Sequence, residues 1–224
     1  MVARVGVVLF PGSNCELDAM EAVRQLGGDA EILWHGDSTV SDVDAVIVPG
    51  GFAHGDYLRP GAIARFSPVM DAVRGFADAG GPVVGICNGF QVLTEAGLLP
   101  GALQKNAGLK FLCTTTTLRV ETTTTPLTSA ANVGDELRIP INHFEGNYTC
   151  DAETLAVLRD EDRVVVRYVE NPNGSVDDIA GVCNEGRNVV GLMPHPERAC
   201  HPLVGSTDGM VLLRSLLATA GAAV

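Results

Sequence analysis

No CxxC pair occurs in this sequence. The six cysteines, at 15, 87, 113, 150, 183 and 200, are scattered singly along 224 residues. That spacing argues against a disulfide framework and against a structural zinc site. Positive charge is also scarce: 15 lysines and arginines face 27 acidic residues, a formal net charge of -12. A chain so acidic is repelled by phosphate backbones and anionic membrane surfaces, so neither nucleic acid nor a membrane is expected as a partner. No apolar run approaches the roughly 20 residues needed to span a bilayer. The opening stretch "MVARVGVVLFPGSN" has one arginine and a short apolar run broken at Pro11-Gly12, with no cleavage-site pattern. It reads as a first core strand, and the expected compartment is cytoplasmic. Also missing are a Gly-x-Gly-x-x-Gly turn after that strand, a Walker A loop, a Pro/Gly/Ser linker and any internal repeat, so residues 1–224 are expected to form one domain.

What is present is apolar and regularly spaced. Hydrophobic residues make up 46% and charged residues 19% of the chain, enough for a substantial core. "RVGVVLF", "DAEILW", "DVDAVIVPGG" and "PVVGI" read as strands. "CELDAMEAVRQLG", "IARFSPVMDAVRGFADAG" and "FQVLTEAGL" read as helices, the second of them open to interruption at Pro68. Strand and helix thus alternate over the first hundred residues, which predicts an α/β fold: an open, mostly parallel twisted sheet with helices on both faces. Beyond Leu109 the pattern changes to "DRVVVRYV", "DIAGVC" and "NVVGLM", preceded by strands over Leu109–Glu121 and Glu136–Ile141. These predict a small mixed or antiparallel extension, closed by a last helix over Ser206–Ala218.

Cys87 ends an apolar run, Pro82 to Ile86, and is followed by Asn88, Gly89 and a helical pattern. In parallel sheets, ligands bind beyond the carboxyl ends of strands. Gly85-Ile86-Cys87-Asn88-Gly89 matches Gly-x-nucleophile-x-Gly, a sharp strand-to-helix turn whose flanking positions must be small. The helix start would aim free N–H groups and a positive dipole end at the sulfur, favouring thiolate. The Asn88 N–H is placed to donate to an oxyanion. The alternative is that both glycines serve close packing and Cys87 is filler.

A nucleophilic cysteine needs a base. Of the histidines at 35, 54, 143, 195 and 201, His195 has the distinctive setting "VVGLMPHPERA", an apolar strand ending at a polar turn. With Pro196 holding the chain extended, His195 and Glu197 face the same way, their Cα atoms roughly 6–7 Å apart. Glu197 can then fix the tautomer of an imidazole that takes the Cys87 proton. A solvated surface turn is the plain alternative. A zinc site through His195, Cys200 and His201 has poor spacing and no fourth ligand.

The "GICNGFQ" elbow with a distant "PHPE" resembles the class I, or triad-type, glutamine amidotransferases. "FPGSNCELD", "PGGFAHGDYLRPGAIA", "GICNGFQVLTEAGLLPGAL" and "YVENPNGSVDDIAGVCNEGRNVVGLMPHPERA" narrow this to the glutaminase subunits of phosphoribosylformylglycinamidine synthase, and the likeness covers nearly the whole chain. The resemblance implies a single type 1 amidotransferase domain of flavodoxin-like architecture. It implies that Cys87 attacks glutamine, that His195 is base and acid, and that Glu197 orients it. The oxyanion hole would use the amide of Asn88 and one from Gly51 or Phe52. Gln91 and the segment His143, Phe144, Glu145 and Gly146 would lie against the substrate, although Asn142 and Phe144 depart from the family's usual pattern. Ammonia would pass to a synthetase subunit, joined through a small bridging subunit, which converts formylglycinamide ribonucleotide to its amidine in purine biosynthesis. No cofactor or metal is implied on this chain; ATP and magnesium belong on the synthetase. Asp56, Tyr57 and Arg59 match a signature whose role is either docking or loop shape. Two other readings stay open: a stand-alone cysteine hydrolase on the same fold, and a flavodoxin-like binding module with an inactive site.

Overall fold

The computed structural model describes residues 2–40 and 42–222. In chain order its elements are β1 (Arg4–Leu9), α1 (Glu16–Gln25), β2 (Asp29–Trp34), β3 (Ala45–Val48), α2 (Pro68–Asp78), β4 (Val83–Ile86), α3 (Asn88–Glu95), β5 (Ala102–Gln104), β6 (Leu112–Val120), β7 (Glu136–His143), β8 (Asn147–Thr149), α4 (Ala152–Asp160), β9 (Val164–Tyr168), β10 (Ile179–Cys183), β11 (Val189–Leu192) and α5 (Gly209–Ala222). Nine strands form one sheet in the order β2-β1-β3-β4-β11-β10-β9-β6-β7, and β5 pairs with β8 separately. From β2 to β11 every pairing is parallel; from β11 to β7 every pairing is antiparallel. The antiparallel extension is therefore part of the main sheet.

The central strands are buried at every position: β3, β4 and β11 expose nothing. Successive side chains of a strand point to opposite faces, so continuous burial means that both faces are covered. That is why "AVIV", "VVGI" and "VVGL" read as unbroken apolar runs rather than alternating ones. No helix among the described residues is long and apolar enough to cross a membrane.

Several boundaries differ from the sequence reading, each for a local reason. Pro68 does not interrupt a helix; it starts α2 as its first residue, where the missing N–H costs nothing, and Ala64–Phe66 forms a separate short turn. Helix α4 is absent from the sequence reading: it buries one residue, Leu158, so its apolar periodicity is faint. Its signal is the cap, where Asp151 accepts from the Thr154 N–H at 2.8 Å. The last helix begins at Gly209 rather than Ser206, because Pro202–Val204 and the bridge between His201 and Ser206 occupy the approach.

Two features position the site. The register of β4 against β11 pairs Ile86 with Leu192, so both strands end at the same edge of the sheet. The small β5–β8 ribbon pairs Gln104 with Asn147 and carries the 143–147 turn back to that edge. Stacking of Phe90 on Tyr148, with ring centroids 5.8 Å apart, ties this ribbon to α3.

Candidate active site

Cys87 stands between β4 and α3 with φ 51 and ψ -105, a backbone state that a non-glycine residue adopts only under constraint. The constraint comes from its neighbours. A side chain at Gly89 would lie 1.8 Å from the Val48 carbonyl oxygen, and one at Gly85 would lie 2.6 Å from Leu93 Cδ1. Only glycines let α3 start this close to β3 and β4, and the resulting sharp turn presents the sulfur at the strand ends. The Cys87 N–H donates to the Leu192 carbonyl at 2.8 Å, and the thiol lies 3.7 Å from the Asn142 carbonyl oxygen.

Three residues beyond the end of β11, His195 is buried beside this turn. Its Nδ1 is 2.6 Å from Glu197 Oε1. The extended backbone expected around Pro196 is corrected by the structure: Pro196–Arg198 is a 3-10 turn, which brings the two side chains together more closely than an extended chain would. Burial lowers the His195 pKa, but the charge of Glu197, then that of Cys87, and the nearby Cys15 outweigh it, and the imidazole stands well above its ordinary value. The Nε2 atom is buried and makes no hydrogen bond of ordinary geometry.

The two oxyanion candidates in the glycine-rich loop are separated by their partners. The Phe52 N–H is committed to the Gly12 carbonyl at 2.9 Å. Among the described residues the Gly51 and Asn88 N–H groups have no protein acceptor, so these two donors are the free ones. Asn88 is buried, and its side chain accepts from the Ala53 N–H at 3.0 Å.

The 142–147 segment lies against the same edge. Gln91 Nε2 donates to the Glu145 carbonyl at 2.6 Å. His143 is buried, with Nδ1 3.1 Å from Asn106 Oδ1, and Gly146 packs on its ring. Burial, with the charge of His195, lowers the His143 pKa to about 4, so this ring is neutral at physiological pH. The Phe144 carbonyl accepts from the Asn106 N–H at 2.9 Å, and Lys105 Nζ is 5.9 Å from the Phe144 ring centroid. Beyond Gln91 a pocket of about 240 Å³ is lined by Arg59, Glu95, Gln104, Lys105 and Glu145.

Over this geometry, residues 2–209 match the model of the CobB/CobQ-like glutamine amidotransferase domain. The protein named phosphoribosylformylglycinamidine synthase subunit PurQ of Rubrobacter xylanophilus is 62% identical over 97% of this chain and 99% of its own length. The chain belongs to the PurQ family of glutamine amidotransferases. A second family member, from Koribacter versatilis, is 54% identical over 96% of this chain and 97% of its own. Among solved structures, one polypeptide in the structure of PurLQS from Thermotoga maritima superposes with a TM-score of 0.90 at 44% identity, covering 97% of this chain and 99% of that one. A Thermoplasma acidophilum protein described as a putative GMP synthase component has a TM-score of 0.69 at 15% identity, covering 100% of this chain and 96% of that one, a likeness of fold alone.

For this PurQ-family chain, sequence reasoning missed two residues near the site. Cys15, at the start of α1, is buried, and its sulfur lies within 4.8 Å of ligand atoms of both His195 and Glu197. Those three side chains are of types that hold a divalent metal. However, Arg198 Nη2 sits 3.2 Å from the Cys15 sulfur, and Nδ1 of His195 is already engaged by Glu197. A fixed guanidinium charge there opposes a second cation. The other miss is Asn106, which donates to the His143 carbonyl at 3.0 Å and accepts from the Gly146 N–H at 3.1 Å. The zinc trio weighed from sequence is not assembled: Cys200 is buried with its thiol pushed up to about 12 by burial, and His201 is exposed and caps Leu203.

Proposed function

We propose that this chain is the glutaminase subunit of a phosphoribosylformylglycinamidine synthase, with Cys87, His195 and Glu197 as its catalytic residues. The observation that carries the reading is the shared edge of β4 and β11, which sets a thiol on a strained turn at the start of α3 beside an imidazole held 2.6 Å from a buried carboxylate. The Cys87 sulfur attacks the side-chain amide carbon of L-glutamine, and its proton passes to His195. The oxyanion that forms is received by the N–H groups of Asn88 and Gly51. His195 returns the proton to the amide nitrogen, the C–N bond breaks, and ammonia leaves a γ-glutamyl thioester on Cys87. Water then attacks the thioester while His195 takes its proton. Collapse breaks the C–S bond, releases glutamate and restores the thiol.

Gln91 and the turn carrying His143, Phe144, Glu145 and Gly146 form the wall against which glutamine is held, supported by the hydrogen bonds through Asn106. Ammonia serves a synthetase subunit, with a small bridging subunit completing the assembly. There ATP, with magnesium, activates the amide of formylglycinamide ribonucleotide, and the amidine forms with ADP and phosphate as products. The relatives named as synthase subunits and the PurLQS structure support the synthetase partner, and the assembly works in the cytoplasm.

The test uses the assembled complex. Cys87→Ser and Cys87→Ala are expected to abolish glutamine-dependent synthesis and to leave ammonia-dependent synthesis intact. Wild-type rates with glutamine in either variant would discard the reading. Full glutaminase activity of the isolated chain, with no rise on adding the synthetase, would favour a stand-alone hydrolase instead.

A further inference from the structure

Position 88 is variable in the Gly-x-nucleophile-x-Gly pattern, since only its backbone N–H faces the reaction. Here its side chain is a buried amide with every hydrogen-bonding group in use. Oδ1 accepts from the Ala53 N–H at 3.0 Å. Nδ2 donates to Asp56 Oδ1 at 3.1 Å and to Gln91 Oε1 at 2.9 Å. Because Ala53 supplies a donor, the oxygen must face it, and the amide orientation is settled by its partners. One carboxamide thus joins the elbow, the loop that carries Gly51, and the substrate-side turn reached through Gln91.

Asp56 holds the outer end of this arrangement. It lies in a loop with four left-handed residues, at His54 φ 54, Gly55 φ 70, Asp56 φ 52 and Leu58 φ 72. Three of these are not glycine, and an L side chain crowds its own backbone in that region. A loop of that kind keeps its shape only if anchored, and its anchors lie on α3. Asp56 meets Asn88 at the first turn, and Arg59 pairs with Glu95 through two bonds of 2.6 and 2.7 Å at the last. Between the anchors Tyr57 and Leu58 are exposed.

We infer that Asp56 is a positioning residue for the oxyanion hole: by holding the Asn88 amide against Ala53, it keeps the Asn88 and Gly51 N–H groups at a working separation. This rests on the proposed glutaminase function. It gives the Gly-Asp-Tyr-Leu-Arg signature a role in which Asp56 acts through Asn88 and Arg59 closes the far end of the loop.

The test measures glutamine-dependent and ammonia-dependent synthesis by the assembled complex. Asp56→Ala is expected to lower kcat with glutamine by about tenfold or more, short of the roughly 10²–10³ lost with an oxyanion donor itself. KM for glutamine should stay within about threefold and the ammonia-dependent rate should be unchanged, because the loss falls on the transition state. Asp56→Asn should recover most of the rate, since its amide oxygen can accept the same bond. Asn88→Leu, which keeps the N–H, should lose a similar factor, and the double variant Asp56→Ala/Asn88→Leu should be no worse than Asn88→Leu alone. Losses that multiply in the double variant, a change confined to KM, or equal damage in Asp56→Ala and Asp56→Asn with equally lowered thermal midpoints would each overturn the inference. Cys87→Ser is run in parallel. If it retains hydrolysis, the glutaminase reading falls and takes this inference with it; if it is inactive while Asp56→Ala matches wild type, only the inference falls.

Discussion

Cys87 and Leu192 are joined by a backbone hydrogen bond of 2.8 Å, and from that bond the separation of thiol and imidazole follows. Leu192 ends β11, and His195 is reached three residues later. The proposed nucleophile and its proposed base are therefore neighbours because two parallel strands share a register.

Two sulfurs lie near His195, and labelling separates them. Cys15 faces Arg198 and has ordinary backbone angles, φ -113 and ψ 9, whereas Cys87 caps α3 in a strained turn. A glutamine-analogue electrophile is expected to modify Cys87, and Cys15→Ser should retain glutaminase activity where Cys87→Ser does not. Peptide mapping that finds the label on Cys15 would reverse the assignment.

Replacing Glu197 with Gln removes the charge that leads those holding the His195 pKa above normal against the opposing effect of burial. Release of ammonia needs a protonated imidazole, so the alkaline limb of kcat/KM should move to lower pH. The rate should fall by roughly 10²–10⁴, as expected when a triad carboxylate becomes an amide. A pH profile of Glu197→Gln with its alkaline limb unmoved would contradict the role given to this carboxylate.

His143 makes stability depend on pH. Its folded pKa, about 4, lies below the unfolded value, so the unfolded chain takes up a proton first as pH falls. Stability is thus complete above about 6.5 and is lost progressively towards about 4, on the order of 3 kcal/mol at most. Asp56 acts in the opposite sense: chiefly through burial its carboxyl is raised to about 6, and protonation there favours the folded state. The informative quantity is therefore the difference between wild type and His143→Gln. Thermal midpoints from pH 7 to 4 should fall less steeply in the variant, and parallel curves would refute the assignment.

Two glycine substitutions should have opposite signs. Gly89→Ala drives a methyl group into the Val48 carbonyl, at 1.8 Å, and should cost about 3 kcal/mol or more. Gly75→Ala, at an exposed position of α2 with nothing within 4 Å, should stabilise by about 0.5–1 kcal/mol. Urea unfolding of both variants measures the pair; a tolerated Gly89→Ala would mean that α3 can shift away from β3.

The residues legible in advance were those whose chemistry leaves a local trace. Cys87 lies between glycines at the end of a buried run, and His195 and Glu197 follow another such run at once. Asn106 and His143 meet across 37 positions, and Asp56 and Asn88 across 32, with no spacing pattern to announce either pair. The short apolar runs near residues 83 and 189 could be seen as strands, but not as adjacent ones.

By itself the sequence determined the alternating elements, the strand ends and the three side chains suited to acyl transfer, because periodicity, glycine and proline act through neighbouring residues. Tertiary structure alone decided that β4 lies beside β11, that Gly51 rather than Phe52 keeps a free N–H, and that Cys15, Asn106 and Asp56 stand around the site. Those outcomes depend on hydrogen bonds and packing between distant segments, whose partners are chosen only when the whole sheet closes on its core.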